Sequence, residues 1–175
     1  MLPEEACDDL WFVRNQIFDA QGYCFGSALG KAIFDNSDCT TSNPELSEKD
    51  RRYIAELQAM EAEWECKVDT SRQELNIHSF DKRRILTEQP LHDFTESACL
   101  GYLGATIPLY DGPSKDRVQI GHITMGSDIL FAHTRFKDEL DAWWFASRVI
   151  LNGELQPDIG WADASVFGFC ERAAG

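Results

Sequence analysis

Cysteine is the residue type whose number and spacing point to a definite chemistry in this chain of 175 residues. The six cysteines are scattered along the whole sequence: Cys7, Cys24, Cys39, Cys66, Cys99 and Cys170. A structural zinc site usually takes two cysteines roughly two to four residues apart in one turn, and no pair here has that spacing. An even number of widely spaced cysteines instead favours disulfide bonds and an oxidising compartment. Paired cysteines would leave the chain without a thiolate nucleophile.

The four histidines, His78, His92, His122 and His133, do not form a known metal-binding motif. Neither the His-x-x-x-His nor the His-Glu-x-x-His spacing occurs. If His122 and His133 lie on neighbouring strands near Asp128, they could form a metal cluster, which is an alternative to our expectation of no metal and no cofactor.

Two pairs of carboxylates have helical spacing, Glu61 with Glu65 and Asp138 with Asp141. Such pairs could act as acid and base in a hydrolase, but solvated helix faces have the same pattern. Neither a Gly-x-Ser-x-Gly nucleophile turn nor a glycine-rich phosphate loop is present. We therefore expect a protein that is not an enzyme, with a hydrolase as an alternative.

The chain is strongly acidic, with 16 basic and 30 acidic side chains and a net charge of −14. This charge repels phosphate backbones and anionic lipids, so nucleic-acid or membrane-surface binding is not expected. No stretch approaches the roughly 20 apolar residues of a membrane span. The first residues are polar and acidic, and we expect that an export signal was removed and Met1 added. A cytosolic protein with six reduced thiols is the alternative.

Residues 4–68 have the pattern of a small helical domain. Apolar residues spaced as on one helix face run from Leu10 to Phe18, and Gly22 is expected to end this helix in a left-handed conformation. A second helix is predicted from Ser27 to Phe34. Ser47 is a suitable N-cap for a third helix, with Asp50 at the capping-box position. The apolar stripe of this third helix is predicted as Tyr53, Leu57, Met60 and Trp64.

The segment from Leu10 to Phe25, followed by Leu46-Ser47 and an acidic helix, resembles the YARHG domain. That family is a small extracellular bacterial module expected to act at the cell wall. The matching positions are Arg14, Asn15, Ile17, Gly22, Tyr23, Phe25, Phe34 and Leu46-Ser47. The motif that names the family is degenerate here, because residues 18–22 read Phe-Asp-Ala-Gln-Gly. Arg14 and Asn15 are predicted to bond loop carbonyls and fix the turn after Gly22, and ligand contact is the alternative.

Residues 69–94 are predicted to be a linker or arm. The segment is polar, with scattered apolar side chains, and it contains the basic cluster Lys82-Arg83-Arg84. We expect these three residues to neutralise a neighbouring acidic face, although they could also meet an acidic partner.

Residues 95–172 have the pattern of an all-β domain. Short β-branched and aromatic runs alternate with turn signals. The strands are predicted at 100–103, 107–110, 118–123, 129–132, 143–151 and 161–167. Asn152-Gly153 is the strongest hairpin signal of the chain. The predicted class is therefore α+β, with a small disulfide-stapled helical domain before a barrel-like β domain.

The segments Leu109–Ser114, Gly121–Gly126 and Ile159–Phe167 resemble, in order, parts of bacterial Src-homology-3-like barrels. The spacing fits if residues 132–142 are an insertion. The resemblance implies a barrel that binds peptides, in bacterial envelopes often the peptide stems of peptidoglycan. A YARHG-type domain followed by such a domain resembles an uncharacterised exported family, chiefly from alphaproteobacteria.

Six cysteines allow fifteen full pairings, and the sequence alone does not choose among them, but the coarse predicted fold favours one set. Cys7 precedes the first helix and Cys66 follows the third, so an antiparallel pair of helices would join them. Cys24 and Cys39 flank the second helix. Cys99 and Cys170 lie near the first and last strands, whose ends would meet in a closed barrel.

The sequence thus predicts a non-catalytic, periplasmic or extracellular binding module for a cell-envelope ligand, with peptidoglycan peptide as the first candidate. Tyr110, Trp144 and Trp161 would line its groove, and Asp111 and Asp163 would face amines of the ligand. Adjacent Trp143 and Trp144 are expected on opposite faces of one strand, so that one can enter the core while the other is exposed. The alternative is that both are core and domain-interface residues without a role in binding. The main alternative is a protein–protein interaction or inhibitor module that uses the acidic helical face, with Glu56, Glu63 and Asp69 as its contacts.

Overall fold

Two separate units make up this chain in the computed structural model, which describes residues 4–77, 79–133, 135–137, 140–151 and 154–175. Residues 1–77 form a helical unit, and residues 78–175 form a unit built on an antiparallel sheet. The predicted α+β class is therefore confirmed. The segment 69–94, predicted as a linker or arm, is divided between the two units.

The helical unit contains α1 (Glu4–Asp19), α2 (Ala28–Ile33) and α3 (Glu48–Glu63). Glu4 and Glu5 occupy the first turn of α1, where the helix dipole favours negative charge. Gly22 has the predicted left-handed conformation, with φ of 73°, and its N–H donates to the carbonyl of Asp19 at 2.8 Å. A side chain at this position would be strained, so glycine suits the end of α1.

Serine side chains cap α2 and α3 as their sequences predict. The Ser27 hydroxyl accepts the N–H of Gly30 at 3.0 Å. The Ser47 hydroxyl accepts the N–H of Asp50 at 3.1 Å and donates to the Asp50 carboxylate at 2.7 Å. Each cap satisfies an N–H group that has no partner within the first turn of its helix.

The apolar core of the helical unit differs from the predicted stripe on α3. Leu57 is fully buried as expected, but Ile54 is the second buried residue, whereas Tyr53, Met60 and Trp64 are only half-buried. Residues from α1, α2 and the loop between them complete the core: Leu10, Trp11, Phe12, Val13, Phe25, Leu29, Ile33 and Phe34. The Phe25 and Phe34 rings stack with centroids 4.6 Å apart.

Arg14 and Asn15 do not fix the turn after Gly22, so that prediction was wrong. The Arg14 guanidinium lies 3.1 Å from both carboxylate oxygens of Glu61 and thereby links α1 to α3. The Asn15 amide donates to the carbonyl of Trp11 in its own helix at 2.7 Å. Helical geometry turns both side chains away from the loop.

The second unit begins with the short helix α4 (Phe80–Arg83) and continues as eight strands. Their bounds are β1 (His92–Tyr102), β2 (Ile107–Tyr110), β3 (Gln119–Ile123), β4 (Asp128–His133), β5 (Arg135–Lys137), β6 (Trp143–Leu151), β7 (Glu154–Asp163) and β8 (Cys170–Ala174). A 3-10 helix, Ala164–Phe169, separates β7 from β8. The predicted strand at 161–167 is wrong beyond Asp163, because that side chain accepts the N–H of Ser165 and starts this helix instead.

All strand pairs in the sheet are antiparallel, in the order β3-β2-β7-β6-β4-β1-β8, and β5 also pairs with β6. Among the described residues, no pairing joins β3 to β8, so the sheet is not the closed barrel that the sequence analysis predicts. The long β1 extends the sheet between β4 and β8 instead of closing it. The hairpin between β6 and β7 forms with Leu151 opposite Glu154. Its expected turn, Asn152-Gly153, lies outside the described residues.

Two residues of the basic cluster at the start of this unit have partners within the unit, whereas Arg84 is exposed. Arg83 is buried, and its guanidinium donates to the side chain of Gln89 at 3.0 Å and to the carbonyl of Pro90 at 2.8 Å. Lys82 donates to the carbonyl of Ile120 at 3.1 Å and lies 3.3 Å from the Asp158 carboxylate. The ion pair of Lys82 with Asp158 agrees with the predicted neutralising role, and the Gln89 and Pro90 contacts of Arg83 supply partners that a buried charge needs.

Three disulfide bonds form, Cys7–Cys66, Cys24–Cys39 and Cys99–Cys170, and these are the pairs that the sequence analysis proposes. The reason for the third pair differs from the expected one, because Cys99 and Cys170 lie on the neighbouring strands β1 and β8. None of the helices in the described ranges is long and apolar enough to span a membrane.

The two disulfides of the helical unit should differ in their contribution to stability. Cys7–Cys66 spans 59 residues and Cys24–Cys39 spans 15. In the chain-entropy model, losing the longer cross-link costs about 4 kcal/mol and losing the shorter one about 3 kcal/mol. Urea unfolding followed by far-ultraviolet circular dichroism should therefore rank C7A/C66A as less stable than C24A/C39A. Wild-type protein in excess reductant should be less stable than either, and the opposite ranking would contradict this account.

Candidate functional site

A pocket of about 370 Å³ lies in the second unit. Ten residues line it: Tyr102, Ala105, Thr106, Ile107, Pro108, Tyr110, Lys115, Asp163, Ser165 and Phe169. Aromatic rings, a carboxylate and an amine thus share one concave surface. Such a combination of apolar walls with a few polar groups is typical of ligand sites.

Residues of three strands and three connecting segments form the lining, and Ala105 and Thr106 belong to the connection between β1 and β2. Tyr102 is the last residue of β1, Asp163 is the last residue of β7, and Tyr110 is the last residue of β2. Strands β2 and β7 are hydrogen-bonded neighbours, with Tyr110 opposite Trp161. Lys115 lies on the loop between β2 and β3, while Ser165 and Phe169 belong to the 3-10 helix. The pocket is therefore an assembly of parts distant in sequence.

Asp163 is the fixed charge of the pocket. One carboxylate oxygen, Oδ1, accepts the backbone N–H of Ser165 at 3.0 Å and also the Ser165 hydroxyl. The other, Oδ2, lies 3.2 Å from Nζ of Lys115. Desolvation by burial acts to raise the pKa of Asp163, but the bonds from Ser165 and the Lys115 ammonium outweigh it, so the pKa is lowered from its ordinary value. Asp163 therefore stays ionised at neutral pH.

Tyr102 forms a buried part of the pocket wall. Its hydroxyl donates to the carbonyl of Ala105 at 2.8 Å. Desolvation and, to a smaller extent, the negative charge of Asp163 raise the pKa of this phenol. A Cβ on Gly104 would lie 2.3 Å from the Tyr102 hydroxyl oxygen, so only glycine lets the chain pass so close to this ring.

The predicted aromatic contacts occupy two different environments. Tyr110 is half-buried and lines the pocket, whereas Trp144 and Trp161 are buried, with 3% and 2% of their surface exposed. Trp144 packs edge-on against the Tyr110 ring with centroids 6.1 Å apart. The indole N–H of Trp161 donates to the carbonyl of Glu88 at 2.9 Å. The two tryptophans thus support Tyr110 from the interior, and Trp143, on the opposite face of β6, is 44% exposed.

Asp111, predicted to face an amine of the ligand, is buried and belongs to the loop between β2 and β3. Its carboxylate accepts the N–H of Val118 at 3.1 Å, and its own N–H donates to the carbonyl of Val118 at 2.9 Å. Its carbonyl accepts the N–H of Thr87 at 2.8 Å. Asp111 therefore closes the loop that carries Lys115 to the pocket.

Four lining residues were not predicted from the sequence: Tyr102, Lys115, Ser165 and Phe169. One local signal was available, because Asp163-Ala164-Ser165 has the pattern of a helix cap in which an Asp side chain bonds an N–H two residues later. The positions of Lys115 and Phe169 have no such signal, since only strand pairing brings their segments together.

No site for the alternative metal or acid–base chemistry is assembled in the described part of the chain. His122 lies on β3 and His133 on β4, and these strands are not neighbours in the sheet. Asp128 accepts the N–H of Gly101 at 2.8 Å. No group of three or more potential metal ligands occurs among the described residues. His78 and Asp138 lie outside them, as does the side chain of His92.

A second depression, of about 450 Å³, lies in the helical unit and is formed by residues 72–76. Its one cationic side chain, Arg72, already contacts the carboxylates of Glu4, at 2.6 Å, and of Asp8. Asp8 also accepts the N–H of Asn76 at 2.6 Å. Burial raises the pKa of Asp8 although these donors act to lower it. This cluster fastens residues 72–76 to α1 and does not resemble a ligand site.

Two family models match the chain in succession. The model described as Domain of unknown function (DUF4453) matches residues 65–175, which is more than half of the sequence. The chain belongs to the DUF4453 family. The YARHG domain model matches residues 2–62, which confirms the resemblance found in the N-terminal part of this DUF4453 protein. No curated protein and no solved structure matches the chain. The DUF4453 region contains the entire pocket.

Replacing Asp111 with alanine should loosen the loop that carries Lys115. The change leaves the N–H of Val118 without its carboxylate acceptor, and losing one partner of such a buried bond costs about 1–3 kcal/mol. Thermal unfolding of D111A should show this loss. The matched control is D116A on the same loop, where the exposed side chain should contribute less than about 0.5 kcal/mol. Equal effects of the two changes would contradict the role of Asp111.

Replacing Ser165 with alanine should raise the pKa of Asp163 towards its ordinary value, because the change removes the hydroxyl donor. A depressed folded-state pKa contributes stability above the unfolded value of about 3.8, and that contribution is lost as the pH falls through the folded-state pKa. The contribution of Asp163 to the free energy of unfolding should therefore be smaller in S165A than in the wild type. Carboxyl NMR titration measures the shift, with S71A, whose hydroxyl contacts Asp69 in the helical unit, as the control that leaves the pKa of Asp163 unchanged.

Proposed function

We propose that this DUF4453 protein is a non-catalytic binding module that acts outside the cytoplasm and takes a cell-envelope ligand in its pocket. The first candidate for the ligand is a peptidoglycan stem peptide. The observation that carries the proposal is the pocket itself, in which the ionised Asp163 stands beside Tyr110 and Phe169. Such a site offers an aromatic surface for a peptide and a fixed anion for its amine.

The proposed location rests on the cysteines and on the YARHG match. All six cysteines are paired in disulfides, and such bonds persist in oxidising compartments. The YARHG family is commonly thought to be an extracytoplasmic binding module. Both observations favour a periplasmic or extracellular protein.

The ligand contacts that we propose start from the predicted set. Tyr110 and Asp163 line the pocket and would contact the ligand directly. Trp144 and Trp161 would act by holding Tyr110 in place, and Asp111 by fixing the loop that carries Lys115. Phe169, which is 56% exposed, would add an apolar contact at the pocket wall. Large, half-exposed aromatic rings beside a charge are the residue types that anchor many binding sites.

A non-catalytic role agrees with the chemistry of the described residues. Among them, the disulfides leave no free cysteine, and the ionised Asp163 is engaged by Ser165 and Lys115. A carboxylate with a lowered pKa is a poor general base near neutral pH, because the ideal catalytic pKa lies near the operating pH. The pocket is therefore better suited to binding than to proton transfer.

The alternative function is a protein–protein interaction or inhibitor module that uses the acidic helical unit. Glu56, Glu63 and Asp69 are all exposed, so they are accessible to a basic partner. Residues 1–75 contain 16 acidic and 7 basic side chains, a difference of −9. Long-range attraction by such a surface would speed association with a cationic protein.

Co-sedimentation of the oxidised protein with purified peptidoglycan sacculi tests the leading proposal. We expect saturable binding that weakens about tenfold in F169A, because a buried aromatic contact is commonly worth more than 1 kcal/mol at an interface. The control is I85A, in which an apolar side chain of similar exposure, 51%, is removed away from the pocket. If F169A and I85A weaken binding to sacculi equally, the result would argue against the pocket as the binding site.

The same assay separates the two functions. Replacing Glu56 and Glu63 with glutamine should leave binding to sacculi unchanged. No sedimentation of the wild-type protein would exclude the wall ligand. The protein-interaction alternative would then be favoured if the wild-type protein captures a basic exported protein and the two glutamine substitutions abolish that capture.

A further inference from the structure

We infer that the pocket selects a ligand carrying a primary ammonium group, and that this group binds Asp163 by displacing Lys115. The inference deepens the proposed function and rests on the same pocket. It assigns Lys115 the role of an internal competitor that occupies the ammonium position when no ligand is bound.

Asp163 has the properties of a preorganised ammonium receptor. Its Oδ1 is held by the N–H and the hydroxyl of Ser165, so the carboxylate cannot rotate freely. Its backbone is fixed at the junction of β7 with the 3-10 helix, which its own side chain caps. Oδ2 faces the side where Lys115 approaches. A rigid anion with one oxygen directed at a cation binds an ammonium with little ordering cost.

Lys115 is held much less firmly than Asp163. Its side chain is 72% exposed, against 29% for Asp163, and it comes from a loop rather than from a strand. An exposed lysine–carboxylate pair contributes little to stability, because water screens the attraction and the long side chain loses freedom. A ligand ammonium that also contacts the neighbouring rings can therefore replace Lys115.

The surroundings favour a cation over an anion at this position. The accessible rings of Tyr110 and Phe169 line the same pocket, and the faces of aromatic rings attract ammonium groups. Residues 76–175 contain 14 acidic and 9 basic side chains, a difference of −5, so the wider field of this part of the chain also attracts cations. A carboxylate ligand would be repelled by the like charge of Asp163. If it bound Lys115 instead, Asp163 would lose its cationic partner.

The test compares two substitutions at the pocket with one outside it. The oxidised full chain is titrated with Nα-acetyl-lysine amide, whose only charge is a primary ammonium, while NMR follows the pocket resonances. K115M removes the competitor and should tighten binding about two- to fivefold, the equivalent of one exposed ion pair. D163N removes the receptor and should weaken binding about tenfold or more.

The control is K137M, because Lys137 forms a comparable exposed pair with Asp141 at 2.7 Å and does not line the pocket. We expect its affinity to equal that of the wild type. The inference would be overturned if K115M bound the lysine probe no more tightly than the wild type does. It would also be overturned if neither the wild type nor K115M bound the probe.

A second titration, with a soluble stem peptide bearing a free amine, separates this inference from the proposed ligand. If the lysine probe behaves as expected but the peptide binds neither the wild type nor K115M, the ammonium site stands and the peptidoglycan proposal fails. If the peptide binds but K115M weakens it, the proposed function stands and displacement of Lys115 is excluded.

Discussion

Covalent cross-linking is the constraint on which both units depend. The helical unit comprises only residues 1–77, and a core of this size rarely supplies more than about 3–5 kcal/mol of stability. Cys7–Cys66 joins the start of α1 to the segment after α3, and Cys24–Cys39 closes the loop around α2. In the sheet unit, Cys99–Cys170 fastens the edge strand β8 to β1. Each bond reduces the conformational freedom of the unfolded chain, so a small core suffices.

Both units bury charged side chains, although removing a charge from water is unfavourable. Asp8 is fully buried, and desolvation raises its pKa even though Arg72 and the N–H of Asn76 contact the carboxylate. Arg83 is similarly enclosed, with Gln89 and Pro90 as partners. Removing one member of such a cluster leaves the other buried without compensation. These clusters therefore fix the path of the chain segments around them more than they add net stability.

The pocket depends on a difference in rigidity between its two charges. Asp163 is fixed by Ser165 at the end of β7, while Lys115 reaches it from a loop that Asp111 closes. Beneath them, Trp144 and Trp161 form a packed layer that supports Tyr110. A site with a fixed anion, a movable cation and an aromatic wall suits reversible binding, because the exposed ion pair can exchange its cation at low cost.

The sequence by itself determined the features that act within a few residues. The Ser27 and Ser47 caps and the left-handed Gly22 follow from local hydrogen bonding and backbone sterics, which are the same in any tertiary context. The coarse element order favoured the disulfide pairs that form, although the closed barrel expected to join Cys99 and Cys170 is absent from the described strands, and strand pairing of β1 with β8 brings these two residues together. Only the tertiary structure decided that the described strands do not close into a barrel and which aromatic side chains line the pocket. Those features depend on the register and order of strands distant in the chain, and Trp144 is buried because its face of β6 packs against Tyr110.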